Sequence, residues 1–150
     1  MSKIGILGLV NTTDQDVVVD GLVNLGTSYR QFTSKNRCGF STFSFTSNGV
    51  SLNHRGIYKV TVTAVVSAPA AGDVTLQLEE NGVLIPGAIA TETITTPVTE
   101  SHTLVIDYFI LVDNDLILNF PTAVAKTITV RNVGIASTIE NIVVNITKEV

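Results

Sequence analysis

Hydrophobic and polar residues alternate along the stretch from Gly56 to Gly87, which reads GIYKVTVTAVVSAPAAGDVTLQLEENGVLIPG. In its first half, apolar side chains occupy every second position: Tyr58, Val60, Val62, Ala64 and Val66. A period of two is typical of a half-buried strand. A second alternating stretch ends at Asn81-Gly82, two residues that tolerate the positive φ angles of tight hairpin turns. The pattern therefore predicts a long strand, a short loop, a second strand and a turn.

The stretch from Ser101 to Val112, SHTLVIDYFILV, is the most apolar part of the chain. In a strand, successive side chains point to opposite faces, and here both faces are apolar. One face carries Leu104, Ile106, Tyr108, Ile110 and Val112, and the other carries Val105, Phe109 and Leu111. A strand of this kind must be covered twice, because each apolar face avoids water. We expect one cover to be the strand's own sandwich and the other to be a neighbouring subunit.

The remaining alternating stretches are short and are separated by turn residues. They occupy residues 17–25, 40–45, 50–52, 88–96, 116–120, 127–133 and 139–148, and Pro97 supports a break after the fourth of them. No stretch has a convincing helical period over ten or more residues. The regular spacing of about ten short strands predicts an all-β protein, a sandwich or barrel.

The N-terminal residues give two alternatives. An apolar run from Ile4 to Val10 precedes a polar turn, and it is either an ordinary first strand or an arm outside the sandwich. The division we adopt is an arm at residues 1–16 and a domain at residues 17–150. In the arm hypothesis the partner-docking residues are Ile4, Ile6, Leu7 and Leu9.

Composition supports the all-β prediction and suggests assembly. Val, Ile and Thr, which favour pleated surfaces, make up more than a third of the 150 residues. Only 15% of the residues are charged and the mean hydropathy is +0.39, which favours burial between subunits over a well-packed monomer.

The net charge of −4 and the scattered basic residues argue against a nucleic-acid partner. No apolar run approaches the length of a membrane span, and no signal peptide is recognisable.

Residues able to carry catalytic chemistry are few and dispersed. His54 and His102 show no metal-ligand spacing, no nucleophile elbow exists, and the single Cys38 is predicted to be a small buried hydrophobe. Asp113 and Asp115 are either calcium ligands or a solvated turn, and the turn is the simpler explanation. We therefore expect no enzymatic activity and no cofactor.

The order of these motifs resembles a known superfamily. Gly56-Ile-Tyr-Lys-Val-Thr-Val, the downstream Asn81-Gly-Val-Leu-Ile-Pro-Gly87 and a Val/Ile-rich final strand resemble the jelly-roll domains of the tumour-necrosis-factor and complement globular-head superfamily. Bacterial and phage members are the most similar, such as the C-terminal domain of the BclA exosporium glycoprotein. The resemblance covers roughly residues 38–150 and marks fold more than function.

The resemblance implies a jelly-roll sandwich of about ten antiparallel strands that forms a homotrimer. Its interface residues would be Tyr58, Tyr108, Phe109 and Leu111. This sequence has no collagen-like stalk, which favours a bacteriophage structural protein, made in the host cytoplasm and assembled onto a capsid or fibre as a decoration or fibre-head component. The alternative is a trimeric carbohydrate- or receptor-binding module on a bacterial or spore surface.

Overall fold

The computed structural model describes residues 5–33, 41–113 and 126–150, and its regular elements are all β-strands. Their bounds are β1 Gly5–Asn11, β2 Gln15–Val17, β3 Thr27–Thr33, β4 Phe43–Thr46, β5 Gly49–Leu52, β6 Gly56–Ser67, β7 Gly72–Glu80, β8 Val83–Ile94, β9 His102–Val112, β10 Lys126–Asn132 and β11 Ser137–Lys148. The predicted strand at residues 116–120, Cys38 and Asp115 lie outside the described residues.

The strands form two antiparallel sheets that face each other. Sheet A has the order β3-β1-β11-β6-β9, with β2 also paired to β11, and sheet B has the order β4-β5-β10-β7-β8. Alternate side chains of both sheets meet in one apolar core, which includes Leu9, Val60, Leu76, Ile110 and Ile146. The prediction of an all-β jelly-roll sandwich is confirmed.

The Asn81-Gly82 turn is confirmed as the hairpin between β7 and β8, because both residues have positive φ, 52° and 80°. The strand that follows differs from the prediction. Val83–Ile94 is one strand with a register shift opposite Gln77 and Glu79, whereas the sequence pattern predicted a separate strand at residues 88–96. Pro86 has no N–H for the ladder, and the irregularity in β8 accommodates it without ending the strand.

The N-terminal segment is the first strand of the sandwich. β1 lies between β3 and β11 in sheet A, and the side chains of Leu7 and Leu9 are completely buried. The assignment of residues 1–16 to a separate arm is therefore corrected for β1. Its backbone is hydrogen-bonded within sheet A, and its Leu side chains are part of the core. Ile6 points outward and is 37% exposed, whereas Ile4 lies outside the described residues.

Asn132, the last residue of β10, links the end of β2 to the turn between β10 and β11. Its buried amide nitrogen donates to the carbonyl oxygens of Val17 at 3.1 Å and Ile135 at 2.8 Å, and its Oδ1 accepts from the Gly134 N–H at 3.1 Å. A buried amide with its donors and acceptor satisfied holds three segments in one geometry.

Candidate assembly surface

Strand β9 is apolar on both faces, as its sequence pattern predicted. Leu104, Ile106 and Ile110 point into the core and are nearly inaccessible to solvent. On the opposite face Val105 is 55% exposed, Phe109 59% and Leu111 53%. These three side chains have no cover within the described part of a single chain.

The exposed apolar face continues across sheet A. Strand register places Ile57 of β6 beside Leu111, and places Ile6 of β1 beside Phe32 of β3. We call this surface the outer face of sheet A, and its exposed apolar members are Ile6, Phe32, Ile57, Val105, Phe109 and Leu111. Its members come from four strands, so the surface is a property of the folded sheet and not of one segment.

A polar row crosses the middle of this outer face. Pairing aligns Asp107 of β9 with Thr61 of β6, and Thr61 with Asn145 of β11. The Thr61 hydroxyl donates to Asp107 at 3.4 Å, and the Lys59 ammonium lies 3.8 Å from the same carboxylate. Lys59 belongs to the adjacent row, because the register pairs it with Phe109, so the ion pair joins two rows.

Tyr29 completes the row at the β1–β3 side. Its ring lies over Gly8, where an added Cβ would come within 2.6 Å of the ring carbons. Its hydroxyl donates to Asn145 Oδ1 at 2.5 Å, and the Arg30 guanidinium lies 6.0 Å from the ring centroid. Glycine at position 8 therefore lets an aromatic side chain lie flat on the sheet.

Two of the four predicted interface residues lie on the outer face, and two do not. Phe109 and Leu111 are exposed there, whereas Tyr58 is completely buried and Tyr108 packs against the core. The Tyr58 hydroxyl donates to the His54 carbonyl at 2.7 Å, and its ring meets Phe43 edge to face at 5.8 Å. The assignment of Tyr58 and Tyr108 to an interface is corrected because both point toward the other sheet.

Alternation along the strands could have identified two residues that the predicted interface omitted, Ile57 and Val105. Ile57 and Val105 occupy the same parity on their strands as Lys59 and Phe109, so alternation alone places them on the outer face. Phe32 could not be found in this way, because its position depends on the pairing of β3 with β1.

The outer face of sheet B carries hydrogen-bonded polar side chains on β7 and β10 and the exposed apolar Ile89 on β8. Thr75 and Thr91 hydroxyls lie 2.9 Å apart, and Glu79 accepts from Thr129 at 2.8 Å and from Arg131 at 2.9 Å. Burial acts to raise the pKa of Glu79, but the hydrogen bonds from Arg131 and Thr129 and the charge of Arg131 lower it overall. The hydrogen bond to Glu79 and the negative charge of Glu79 raise the pKa of Arg131. These polar side chains are therefore satisfied within the single chain.

His54 lies in the interior and Asp113 lies at the surface. Buried His54 lies 3.2 Å from the Thr42 hydroxyl, and exposed Asp113 directly follows β9. No three His, Cys, Asp or Glu side chains converge on a possible metal site within the described ranges. None of the residues that the structure describes forms a helix long and apolar enough to cross a membrane.

His102 links the edges of the two sheets. It begins β9 and lies 3.4 Å from Glu92 of β8 and 2.6 Å from Glu100. Glu100 also accepts hydrogen bonds from the backbone N–H groups of Thr96 at 2.6 Å and Thr95 at 2.8 Å. The hydrogen bonds from Thr96, His102 and Thr95 lower the pKa of Glu100 to about 2.

This carboxylate predicts a specific acid sensitivity. Because the pKa of Glu100 falls from 4.5 to about 2 on folding, its contribution to stability is complete above pH 4.5 and is lost as the pH falls toward 2. We expect Glu100→Gln to lower the urea midpoint at pH 7, and the difference from wild type to shrink between pH 4.5 and 2. Exposed Glu149→Gln is the control. Equal differences at pH 7 and pH 2.5 would contradict the assignment.

No family model matches the chain, and no curated protein matches its sequence. Solved structures do match its fold. The globular domain of zebrafish complement 1qA protein superposes with a TM-score of 0.63 and 6% identity, covering 97% of this chain and 98% of that chain. Eiger TNF from S. frugiperda has a TM-score of 0.64 and 12% identity, with 98% and 92% covered.

PRD1 vertex protein P5 is also similar, with a TM-score of 0.55 and 17% identity, and the match covers 98% of this chain and 96% of that chain. Identities this low establish the fold alone. The expected resemblance is confirmed: the chain has the jelly-roll fold of TNF and complement globular heads, which a phage protein also has.

Proposed function

We propose that this protein is a non-enzymatic structural protein that assembles as a homotrimer through the outer face of sheet A. The observation that carries the proposal is the difference between the two sheets. Sheet A exposes Phe109, Leu111 and Val105 on the side away from the core, with further apolar side chains on β1, β3 and β6. The exposed apolar side chains of sheet B come from β8 alone, so sheet A has the more extensive apolar surface and is the face that we assign to assembly.

The apolar side chains supply a driving force of the right size. Fully burying a Phe, Leu or Val side chain is worth about 1.5–3 kcal/mol, so removing the exposed half of each contributes roughly 1 kcal/mol. Several such contributions per interface offset the entropy lost on association. Closed cyclic symmetry hides the face of every copy, and the superfamily resemblance implies three copies.

We propose that the trimer is a component of a bacteriophage virion. Support comes from the similarity to phage members in sequence motifs and from the fold shared with PRD1 vertex protein P5. In this role the trimer is an auxiliary, decoration or fibre-head component, and its partner is a capsid or fibre protein. The role requires folding and assembly but no catalytic group.

Mass measurement tests the trimer. In sedimentation equilibrium at micromolar concentration we expect a single species with three times the chain mass of 16.0 kDa. A stable monomer would overturn the proposal. The virion role is tested by mass spectrometry of purified particles, in which the chain should be present in multiples of three copies.

A second candidate function is carbohydrate or receptor binding. The β7–β8 hairpin forms a shallow concavity of about 460 Å³, lined by Glu80, Asn81, Val83, Leu84, Ile85 and Pro86. A carboxylate and an amide beside apolar side chains are groups that can bind a polar ligand with an apolar face. Glycan-array screening distinguishes the candidates, because a purely structural trimer gives no hits.

A further inference from the structure

Four connecting segments meet at one end of the sandwich. Gly5 of β1 pairs with Lys148 of β11, so β1 begins and β11 ends at the same end of sheet A. At the other end, where Ser67 pairs with Thr138, lie residues 12–26, 68–71, 95–101 and 133–136, which connect β1 to β3, β6 to β7, β8 to β9 and β10 to β11. We call this end the loop pole. It lies at the strand ends and not on the outer face of sheet A.

The loop pole exposes aliphatic side chains. Val18 is 68% exposed, Val19 52% and Val98 74%. The smaller exposed apolar residues there are Pro69, Ala70, Ala71 and Ala136. Val18, Pro69 and Ala136 line a cavity of about 80 Å³, and the Val98 N–H donates to the carbonyl before Pro69 at 2.9 Å. Separate loops thus form one apolar surface, with a recess in it for one short aliphatic side chain.

Hydrogen bonds fix the backbone that presents these side chains. The Val18 carbonyl accepts from the Gly21 N–H at 2.9 Å and from the amide nitrogen of Asn132 at 3.4 Å. The Glu100 carboxylate accepts from two backbone N–H groups of the loop that contains Val98. A surface whose geometry is already fixed loses little entropy when a partner binds.

Val98 has an unfavourable backbone conformation for its side chain. Its φ is +72°, in the left-handed region. A β-branched residue is rarely found there, because its Cβ crowds the backbone, whereas glycine adopts the same conformation without that strain. Folding alone therefore favours glycine at position 98. The exposed valine supplies an apolar contact group that the single chain does not bury.

The ionised groups of the loop pole are carboxylates. They are Asp14, Asp16, Asp20, Asp73 at the start of β7, and Glu100, and the four segments contain no Lys or Arg. Asp16 and Asp73 accept hydrogen bonds from threonine hydroxyls, which leave their charge unchanged. In the adjoining strands, the Arg131 guanidinium is paired with Glu79, and His102 is paired with Glu100. The apolar surface therefore has a negative rim.

We propose that the loop pole binds a basic polypeptide segment of a partner protein, with an aliphatic side chain in the recess beside Val18 and Lys or Arg side chains facing the carboxylates. The negative rim repels nucleic acids and anionic lipid surfaces. Within the described ranges no three side chains converge to hold a metal ion. A basic segment with an aliphatic anchor matches both the apolar surface and its charge. This inference goes beyond the proposed function and requires only a single chain.

Selection of random dodecapeptides by ribosome display tests the chemistry of the partner. The bait is the full chain, held through a tag that precedes β1 and is therefore remote from the loop pole. We expect the enriched peptides to combine Lys or Arg with at least one Val, Leu or Ile. Enrichment of acidic peptides, or no enrichment at all, would overturn the proposal.

Val98→Gly separates binding from folding. It removes the exposed side chain and relieves the positive φ, so the thermal unfolding midpoint should stay the same or rise. The dissociation constant of a selected peptide, measured by calorimetry, should rise at least about fivefold. Val83→Gly, which removes a 69% exposed valine at the opposite end, is the matched control and should change it less than about twofold. Unchanged binding by Val98→Gly would contradict the apolar anchor.

The charges are tested by Asp14→Asn combined with Asp20→Asn, since asparagine tolerates the φ of 64° at position 20. We expect the dissociation constant to rise about tenfold at low ionic strength, and the difference from wild type to shrink to within about twofold at about 1 M salt, because salt screens exposed charges. The control, Asp113→Asn with Glu149→Gln, removes two exposed carboxylates at the opposite end. Equal effects of the two double variants would mean general charge attraction and would overturn the site.

The outcomes separate this inference from the proposed function. A monomeric wild-type chain whose peptide binding depends on Val98 and on the two aspartates overturns the trimer alone. A wild-type trimer whose selected peptides bind the Val98→Gly variant as tightly as wild type overturns the inference alone.

Discussion

Replacing Phe109 and Leu111 together by glutamate is expected to convert the oligomer into folded monomers. Both side chains are more than half exposed in the single chain, so the change does not disturb the core. In the assembly it would bury two carboxylates against apolar side chains. At about 2 kcal/mol for each central interface residue, the dissociation constant rises roughly a thousandfold.

Sedimentation velocity combined with far-ultraviolet circular dichroism checks this expectation. The control variant replaces Val83 and Leu84, which are 69% and 41% exposed at the β7–β8 hairpin, by glutamate. It adds the same charge and removes comparable apolar groups outside the proposed interface. Dissociation of the hairpin variant, or persistence of the oligomer in the Phe109 and Leu111 variant, would refute the outer face of sheet A as the interface.

Deleting residues 1–12 is expected to abolish cooperative folding. The deletion removes β1, which pairs with β3 on one side and β11 on the other. It also removes Leu7 and Leu9, which are worth about 2–3 kcal/mol each when fully buried. Domains of this size are stable by only about 5–15 kcal/mol, and the loss of both Leu side chains together with the two strand pairings of β1 removes much of that margin.

Point variants make the same test without truncation. Leu9→Ala should cost about 2–5 kcal/mol in chemical denaturation because it leaves a cavity in the core. Ile6→Ala, on the same strand but pointing outward, should cost much less in the monomer. A truncated chain that unfolds cooperatively at the wild-type midpoint would mean that residues 1–12 are an arm after all.

The sequence pattern predicted the strands well but the assembly residues only in part. Alternation assigns Tyr58 to the same side as Val60, and Tyr108 to the same side as Ile110, so parity contained enough information to place both in the core. They were assigned to the interface because the superfamily resemblance favours aromatic residues there. In this chain Phe109 is the exposed aromatic residue of β9.

Other features depend on pairing between distant residues. Whether β1 is an arm or a strand is decided by its contact with β11, where Gly5 meets Lys148. Phe32 and Tyr29 join the outer face only because β3 pairs with β1, and Tyr29 lies flat only because position 8 is glycine. No local period encodes such contacts, which is why the sequence left both alternatives open for the N-terminal segment.

The central place of β11 in sheet A has a consequence for the order of folding. β11 separates β1 from β6, so each of them lacks one of its two neighbours in sheet A until β11 is available. During synthesis, β1 must wait until β11 has left the ribosome. Such distant pairing predicts slow folding and a long-lived intermediate with open strand edges. The trimer is consequently expected to form only after β11 of each chain has been synthesised.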